Sequence, residues 1–235
     1  ELIKMKEVLP VILDQNNKAE HPLSTLEILQ KLTSSEIVFR DERAKKINIT
    51  ISSFPFVKTL KDFDFDYQPQ INRSYIEDLA TLRFMKEHNN IVFMGSPGVG
   101  KSHLAIAIGV EAASLRYSTY FINFSTLMAK IKKAIAEQRI EQIIKHYLKY
   151  SLLLIDEIGY LPTDRDASYV FFQLIAARYE KRSTIFTTNQ PFSKWGEVFG
   201  DNVIASAIVD RIIHHCEIIK ITGQSYRIKG KIDLT

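Results

Sequence analysis

IVFMGSPGVGKSHLAIAIG, residues 91–109, joins a short apolar run to a glycine-rich loop and then to a second apolar segment. The loop from Gly95 to Ser102 matches the spacing G-x-x-x-x-G-K-[ST], directly after a predicted strand and directly before a predicted helix. Glycines let main-chain N–H groups turn inward around a phosphate, and the helix N-terminus adds partial positive charge. A glycine-rich turn that binds nothing rarely matches all four fixed positions by accident. The stretch therefore predicts a phosphate-binding loop between a core strand and a helix.

The residue types of this loop predict how a nucleoside triphosphate is held. We expect the Lys101 ammonium to reach the β- and γ-phosphates and the Ser102 hydroxyl to bind Mg²⁺. The predicted nucleotide-binding residues are Gly95, Ser96, Pro97, Gly98, Val99, Gly100, Lys101, Ser102 and His103.

A second apolar run, LLLIDE at residues 152–157, ends in two adjacent carboxylates. Taken alone, such a run is explained by a turn at the end of a strand. With a phosphate-binding loop upstream, it predicts that Asp156 orients the Mg²⁺ shell and that Glu157 polarises an attacking water.

TIFTTNQP, residues 184–191, places Asn189 just after another predicted strand. Its amide is expected to contact the γ-phosphate and the same water, although asparagine is also common in turns.

SAIVDRIIHH, residues 206–215, carries Arg211 near the end of a predicted helix. An arginine that meets developing charge accelerates phosphoryl transfer by about 10³–10⁵. A surface arginine that favours a helix C-terminus is the alternative explanation.

Short apolar runs alternate with helical segments after residue 90, which predicts an α/β fold of three layers with a central parallel sheet. Predicted strands are 91–94, 119–123, 152–156, 184–188 and 217–221, and predicted helices are 102–114, 125–149, 166–181 and 202–214. Because only fourteen residues follow Ile221, we expect no helical lid after the last strand.

Three regions are predicted along the chain: a helical N-terminal region at 1–53 for partner or DNA contact, a connector with a lead-in helix at 54–89, and a nucleotide-binding core at 90–235. Pro22 precedes a capping box formed by Ser24 and Glu27, which indicates a helix start. Pro55 and Pro69 break the helical pattern of the connector.

Composition is that of an ordinary globular protein of 235 residues, with 46% apolar and 25% charged residues. No run of about 18 uncharged apolar residues and no signal peptide is visible, so we expect no membrane contact. The single cysteine, Cys216, is consistent with a cytoplasmic location.

The net charge of +4 is a mild excess, but its bases are clustered. Residues 40–61 and 125–150 each hold six bases against two acids. A solvated helix face explains such a run, and nucleic-acid binding explains it equally well.

These stretches together resemble IstB, the ATPase of insertion-sequence transposons, which groups with the helicase loader DnaC among AAA+ ATPases. The resemblance extends from about Phe54 to Lys231 and includes LLLIDEIGYLP, TIFTTNQPFSKWGEVFGD and ITGQSYRIK. It implies an AAA+ P-loop fold, ATP and Mg²⁺ as cofactors, and a homo-oligomer with nucleotide at its subunit interfaces. It also implies that the oligomer binds double-stranded DNA, mainly at phosphates, and works with a transposase.

Carried onto this chain, the resemblance assigns Lys101 and Ser102 to the Walker A motif and Asp156 and Glu157 to the Walker B motif. Asn189 is similar to the first sensor, and Arg211 is similar to an arginine finger that acts on a neighbouring subunit. Bases in the 125–149 segment occupy the region where related initiators carry DNA-contacting helices, so the DNA-binding candidates are Lys130, Lys132, Lys133 and Arg139.

Two other functions are considered. A DnaC-like helicase loader would use the nucleotide as a switch, but loaders of that branch often carry a cysteine-ligated zinc, and this chain has one cysteine. A metabolic kinase is disfavoured because no acceptor-binding insertion is visible and Glu157 suits a water better than a substrate hydroxyl.

Overall fold

The computed structural model describes residues 1–159 and 162–228. The chain divides into two compact units, Glu1–Ile47 and the part that begins at Asn48. The predicted region boundary after residue 53 lies inside the second unit, and the end of the predicted core, residues 229–235, lies outside the described residues. No helix among the described residues is long and apolar enough to cross a membrane.

The first unit contains α1 (Ile3–Asn17) and most of α2 (Thr25–Ile51). The predicted capping box is confirmed, because the Ser24 N–H and hydroxyl both donate to Glu27 at 2.7 Å. The α1 N-terminus has no acid of its own, and Glu36 of α2 accepts from the Lys4 and Met5 N–H groups instead. A carboxylate at that position satisfies helix N–H groups that have no partner within the helix.

The second unit carries the sheet and the helices that cover it. Its helices are α3 (Arg73–Leu79), α4 (Arg83–Lys86), α5 (Lys101–Ser114), α6 (Phe124–Ala136), α7 (Ile140–Leu148), α8 (Arg165–Arg178), α9 (Trp195–Phe199) and α10 (Asn202–Ile213). Its strands are β1 (Asn90–Gly95), β2 (Thr119–Asn123), β3 (Leu152–Ile158), β4 (Ser183–Thr188) and β5 (Cys216–Ile221). Single 3₁₀ turns occur at Leu60–Asp62, Phe192–Lys194 and Tyr226–Ile228.

The five strands form one sheet in the order β2-β3-β4-β1-β5, and every pair is parallel. This confirms the predicted α/β fold. Apolar residues of α3, α4 and α5 pack against one face of the sheet, and those of α6 to α10 pack against the other. Because all strands run the same way, their carboxyl ends meet at one edge, where β1 leads into the glycine-rich loop.

Two predicted helices are interrupted. The segment predicted as one helix at 125–149 ends first at Ala136, because Gln138 adopts φ +54° and the Arg139 N–H donates back to the Ala134 carbonyl at 2.7 Å. This is a left-handed helix end of the kind usually marked by glycine, and here it has no glycine to signal it. The lead-in helix divides into α3 and α4 at Leu82, whose φ is +62° and whose side chain is buried.

Candidate nucleotide-binding site

The loop between β1 and α5 has a backbone that requires glycine at two positions. Gly98 and Gly100 have φ values of +84° and +101°, which side chains rarely allow. A Cβ at Gly98 would lie 2.0 Å from the Ser225 Oγ, and one at Gly100 would lie 2.5 Å from the Phe63 ring. Both positions therefore require glycine for two reasons: the backbone has a positive φ, and neighbouring side chains occupy the space that a Cβ would need.

The N-terminus of α5 is open to an anion. No acidic residue lies in its first turn and no side chain caps it, so its first N–H groups have no side-chain acceptor among the described residues. Lys101 begins the helix, is only 7% exposed, and donates from Nζ to the Ser96 carbonyl at 2.8 Å. Burial lowers the pKa of Lys101, and the charge of Asp156 opposes this effect. A buried ammonium is costly unless it is paired with negative charge, so a group bonded to a single carbonyl favours an anion nearby.

Asp156 lies beside this lysine at the carboxyl edge of the sheet. Its Oδ1 accepts from the Ser102 hydroxyl at 2.8 Å and from the Thr187 hydroxyl at 2.5 Å. Burial raises the pKa of Asp156, although both hydrogen bonds oppose that rise. The structure thus brings together three predicted residues, Lys101, Ser102 and Asp156, and adds Thr187, which the sequence analysis missed.

β3 does not end at Asp156 as predicted but continues to Ile158 through a bulge. Pairing with β4 skips from Ile155 to Ile158, and Glu157 adopts φ +64°. Its N–H donates to the Thr187 hydroxyl at 2.9 Å, outside the strand ladder. A bulge of this kind redirects a side chain, which separates the two adjacent carboxylates into different surroundings.

The Glu157 carboxylate is held by a side chain from the next strand. Asn123, at the end of β2, donates from Nδ2 to Oε2 at 2.6 Å. The register pairs Asn123 with Asp156, so this contact follows directly from the order of the strands. Asn123 was also missed, although its position at a strand end was a usable signal.

A cavity of about 320 Å³ adjoins the loop. Residues 98–103 and Glu157 line it together with side chains of the connector, Tyr226 and Arg227. His103 lines it, with its Nε2 3.1 Å from the Thr59 carbonyl and its ring edge-on to Phe63 at 5.2 Å. Burial lowers the pKa of His103, which favours a neutral ring. The aromatic and polar lining offers a place for a nucleoside next to the place for its phosphates.

Two predicted catalytic residues lie apart from this cavity. Asn189 follows β4, and its Oδ1 is buried with no hydrogen-bond partner within the described part of the chain. Arg211 lies on α10 with its guanidinium 4.7 Å from the Phe172 ring, and its Nη1 donates to the Ala207 carbonyl. Neither residue lines the cavity in the part of the chain that the structure describes.

The predicted DNA-binding candidates are all exposed, on α6 and just after it. Lys132 pairs with Asp164 at 2.8 Å, and both Lys133 and Arg139 pair with Glu137. Lys130 forms no ion pair with any residue that the structure describes. Ion pairs between side chains this exposed contribute at most about 1 kcal/mol to the stability of the fold, so other anions can replace the acidic side chains.

The protein-family model described as IstB-like ATP binding protein matches residues 2–233 of the chain. The chain is 51% identical over 207 residues to an ATP-binding protein of insertion sequence IS232 from Bacillus thuringiensis subsp. berliner, covering 88% of this chain and 83% of the relative. It is 41% identical over 211 residues to that of insertion sequence IS5376 from Geobacillus stearothermophilus, covering 90% and 84%.

Solved structures share the fold. The replication initiator DnaA bound to AMPPCP and single-stranded DNA has a TM-score of 0.59 at 20% identity, covering 75% of this chain and 56% of that one. The DnaC helicase loader has a TM-score of 0.56 at 22% identity, covering 69% of this chain and 96% of that one. At these identities the likeness concerns the fold alone.

Proposed function

Because the chain belongs to the family of IstB-like ATP binding proteins and is an ATPase of the P-loop class, we propose that it assists a transposase in moving an insertion sequence. In this proposal it binds double-stranded DNA as a homo-oligomer, and ATP controls that binding. Its task is to select or remodel the target DNA.

One observation carries the proposal. The relatives that match about nine-tenths of this chain are ATP-binding proteins of insertion sequences, at up to 51% identity. The matched proteins are themselves covered over more than four-fifths of their length, so the likeness concerns nearly whole proteins.

The nucleotide is proposed to bind in the cavity beside the loop, with its phosphates at the N-terminus of α5. There the main-chain N–H groups of residues 98–101 donate to phosphate oxygens, and Lys101 exchanges the Ser96 carbonyl for them. The Ser102 hydroxyl and the Asp156 carboxylate fit Mg²⁺, because both are oxygen donors 2.8 Å apart and the carboxylate is buried with a raised pKa. A Mg²⁺ ion held by these two residues would neutralise negative charge on the phosphates.

Glu157 is proposed to orient and deprotonate the attacking water. The bulge directs its carboxylate away from Asp156 and towards both the cavity and Asn123. While Asn123 donates to Oε2, the carboxylate has less negative charge available for a water. Asn189 is proposed as a second contact for that water, since its buried Oδ1 has no partner within the described residues.

Arg211 is proposed to meet the phosphates of a neighbouring subunit. On its own chain it lies across Phe172 and outside the cavity, so it has no access to the nucleotide of the same subunit in this arrangement. Hydrolysis would then require assembly, and DNA would promote hydrolysis by aligning the subunits.

DNA is proposed to contact the exposed bases of α6 and the residue that follows its end. Lys130 has no competing acid among the described residues, and Lys132, Lys133 and Arg139 would exchange weak surface pairs for phosphates. Binding of this type depends on salt and little on sequence.

The alternative is a helicase loader, favoured by the shared fold with the DnaC structure. The two functions differ in the protein partner, so co-purification with each candidate partner separates them. A transposase encoded beside the gene supports the proposal, and a replicative helicase supports the alternative.

The DNA proposal is tested by fluorescence anisotropy of a short random-sequence duplex at several salt concentrations, with ATP, with AMPPCP and without nucleotide. We expect tight binding with AMPPCP and a steep loss of affinity with salt. Replacing Lys130, Lys132 and Lys133 together by alanine should lower the slope of log K against log salt by about 0.9 for each phosphate that the variant no longer neutralises.

Lys194→Ala is the matched control, since Lys194 is also an exposed lysine paired with an acid on its own turn. It should leave the slope unchanged. No binding at low salt with any nucleotide would refute DNA binding, and a triple variant with the wild-type slope would move the DNA surface away from α6.

A further inference from the structure

Two histidines that follow α10 lie beside a glutamate from the turn before β4. A ligand atom from each of Glu180, His214 and His215 lies within 4.8 Å of those from the other two. The His215 Nε2 is 3.4 Å from the Glu180 Oε1, and the two histidine rings meet edge-on with their centroids 4.2 Å apart. Because Glu180 precedes β4 and His215 precedes β5, this His–His–Glu cluster lies at the amino ends of the strands, opposite the phosphate-binding loop.

The backbone on the glutamate side of the cluster is fixed by a buried residue. Glu180 adopts φ +55°, which is uncommon for a residue other than glycine. The turn that contains it is closed by the Arg178 carbonyl, which accepts from the Lys181 and Arg182 N–H groups at 3.0 and 2.9 Å. Arg178 itself is 1% exposed. The Glu180 carboxylate therefore extends from a turn with a buried anchor.

The backbone on the histidine side is fixed as well. The Asn90 N–H donates to the His215 carbonyl at 2.8 Å, and the Asn90 Nδ2 donates to the Ile212 carbonyl at 3.2 Å. The His214 N–H donates to the Asp210 carbonyl at 3.1 Å, which closes the last turn of α10. Since the fold positions both sides of the cluster, an ion bound there would order few further groups.

A tyrosine links two of the three side chains. The Tyr179 hydroxyl lies 2.7 Å from the His214 Nδ1. Burial raises the pKa of this hydroxyl, and its hydrogen bond to Glu180 adds to that rise, so the tyrosine stays neutral. Side chains that bind a metal are usually oriented by outer hydrogen bonds of this kind. Tyr179 is therefore placed to support a metal site without being a ligand.

The charges around the cluster indicate which kind of ion it suits. Lys181 and Arg182 follow Glu180 directly in the chain. The charges of Asp210 and Arg211 act on the tyrosine hydroxyl in opposite directions. Because acids and bases are mixed here, the site does not favour a hard cation such as Mg²⁺ or Ca²⁺, which needs several oxygen ligands. Two imidazoles and one carboxylate suit a divalent transition-metal ion such as Zn²⁺.

Cys216 follows His215 directly but is not placed to be a fourth ligand. Its side chain packs against the hydrophobic core. Burial raises the pKa of its thiol to about 12, so it is protonated at neutral pH, whereas a metal ligand must be a thiolate. The three members of the cluster are all exposed. The fourth position of a tetrahedral ion would therefore be open to water or to a ligand from another molecule.

We propose that Glu180, His214 and His215 bind a divalent transition-metal ion of the Zn²⁺ type, with one coordination position left open. The ion joins the end of α10 to the turn between α8 and β4. None of its three ligands lines the nucleotide cavity, so the metal site does not depend on the proposed nucleotide site. Because Arg211 lies about one helical turn before His214, the ion also holds the end of the helix that carries Arg211.

The test is isothermal titration calorimetry of the tag-free, nucleotide-free chain with ZnCl₂, and with MgCl₂ for comparison. We expect Zn²⁺ to bind and Mg²⁺ not to compete with it. His214→Ala and His215→Ala each remove a ligand and should lower the Zn²⁺ affinity by more than about a hundredfold. Tyr179→Phe removes an outer partner and should lower it by about tenfold.

Two further measurements separate metal binding from damage to the fold. Glu180→Gln keeps the size of the side chain and should also weaken Zn²⁺ binding, because an amide is a poorer ligand than a carboxylate. Zn²⁺ should raise the melting temperature of wild type but not that of His214→Ala. Without metal, the melting temperatures of the ligand variants should stay close to that of wild type, because the three side chains are exposed.

His21→Ala is the control, since His21 is an exposed histidine of the first unit, and it should bind Zn²⁺ as wild type does. The inference is overturned if wild type binds no Zn²⁺, or if His214→Ala and His215→Ala bind it as tightly as wild type. Zn²⁺ binding that is lost in Asp156→Asn but kept in both histidine variants would place the ion at the nucleotide site and overturn the inference as well.

Discussion

Two charged side chains are buried at opposite ends of the strands, and they differ in how completely they are satisfied. Arg178, at the end of α8, is 1% exposed and lies by the start of β4, where Ser183 and Thr184 accept from it. Asp156 is 7% exposed and lies near the carboxyl end of β3.

Each nitrogen of the Arg178 guanidinium has a hydrogen-bond partner within the protein. Its Nε donates to the Thr184 hydroxyl at 3.0 Å, and its Nη atoms donate to the carbonyls of Tyr147, Tyr150 and Ser183 at 2.5–2.9 Å. Burial lowers the pKa of this guanidinium to about 9, so it stays charged at neutral pH. It joins the end of α7, the end of α8 and the start of β4.

Asp156 has fewer hydrogen-bond partners than its carboxylate can accept. Both of its short hydrogen bonds reach Oδ1, and the neighbouring ammonium of Lys101 is bonded to a carbonyl instead. Its bonding partner Ser102 and its neighbours Lys101 and Glu157 line a cavity. The difference teaches that burial alone does not identify a functional charge. The structural charge, Arg178, has a protein partner at every nitrogen, whereas the candidate functional charge, Asp156, has both of its hydrogen bonds at one oxygen and leaves room for a ligand.

The largest effect is expected at Arg178, because its removal takes a donor from three carbonyls, two of them buried. Arg178→Met should lower the free energy of unfolding by about 4 kcal/mol, at roughly 1–3 kcal/mol for each carbonyl less the gain from burying an apolar side chain. Urea denaturation measures this. The exposed neighbour Arg182, replaced by methionine, should change the value by no more than about 0.5 kcal/mol. If Arg178→Met and Arg182→Met lower the free energy of unfolding equally, Arg178 is not a structural charge and the contrast with Asp156 fails.

This contrast was not visible in the sequence. Arg178 occupies a helix end followed by further charges, a pattern typical of a solvent-exposed side chain. Two of its three carbonyl partners come from residues about thirty positions upstream. The candidate site was predictable where it depends on local spacing, as in the loop at 95–102 and the Asp156–Glu157 pair. The five strands were predictable because a sheet covered on both faces requires continuous apolar runs.

What the sequence did not predict depends on distant contacts. The sequence predicts a connector at 54–89 but not its place beside the loop, where Phe63 lies next to Gly100 and Gln68 donates to the Gln224 carbonyl, from far away in the chain. The break at Gln138 has no glycine to mark it. Thr187 and Asn123 could have been predicted, because the strand register alone places both beside the Asp156 and Glu157 carboxylates.

An intermediate effect is expected at Glu157, the carboxylate next to Asp156 that faces both Asn123 and the cavity. Glu157→Gln should lower the ATP turnover rate by about 10²–10⁴, since an amide cannot accept the proton of the water. ATP affinity should stay close to that of wild type, because the phosphates are held by the loop. Steady-state phosphate release and nucleotide titration measure the two quantities.

Mixing sharpens this prediction. Glu157→Gln and Arg211→Ala are each inactive if Arg211 acts across subunits, and together they should recover part of the turnover, since a mixed interface can pair an intact Glu157 with an intact Arg211. Recovery at no mixing ratio would confine Arg211 to its own subunit. Unchanged turnover in Glu157→Gln alone would place the base elsewhere.

The smallest change in the free energy of unfolding is expected at Asp156 itself, and its sign is opposite to that at Arg178. Burial raises the pKa of Asp156, so the ionised carboxylate costs the nucleotide-free fold free energy at neutral pH. That cost is full above the folded pKa and disappears below the unfolded value of about 3.9. Asp156→Asn should therefore stabilise the nucleotide-free protein by about 1 kcal/mol near neutral pH, as functional charges often do when removed. The gain should shrink as the pH falls towards the unfolded value, while ATP turnover is lost at every pH.

Asp66→Asn is the control for this change, since Asp66 is an exposed acid of the same unit and should alter the free energy of unfolding little at either pH. A destabilised Asp156→Asn protein would mean that the carboxylate is held as completely as Arg178 is. The Asp156 carboxylate would then stabilise the fold as Arg178 does, and the buried charges at the two ends of the strands would both be structural.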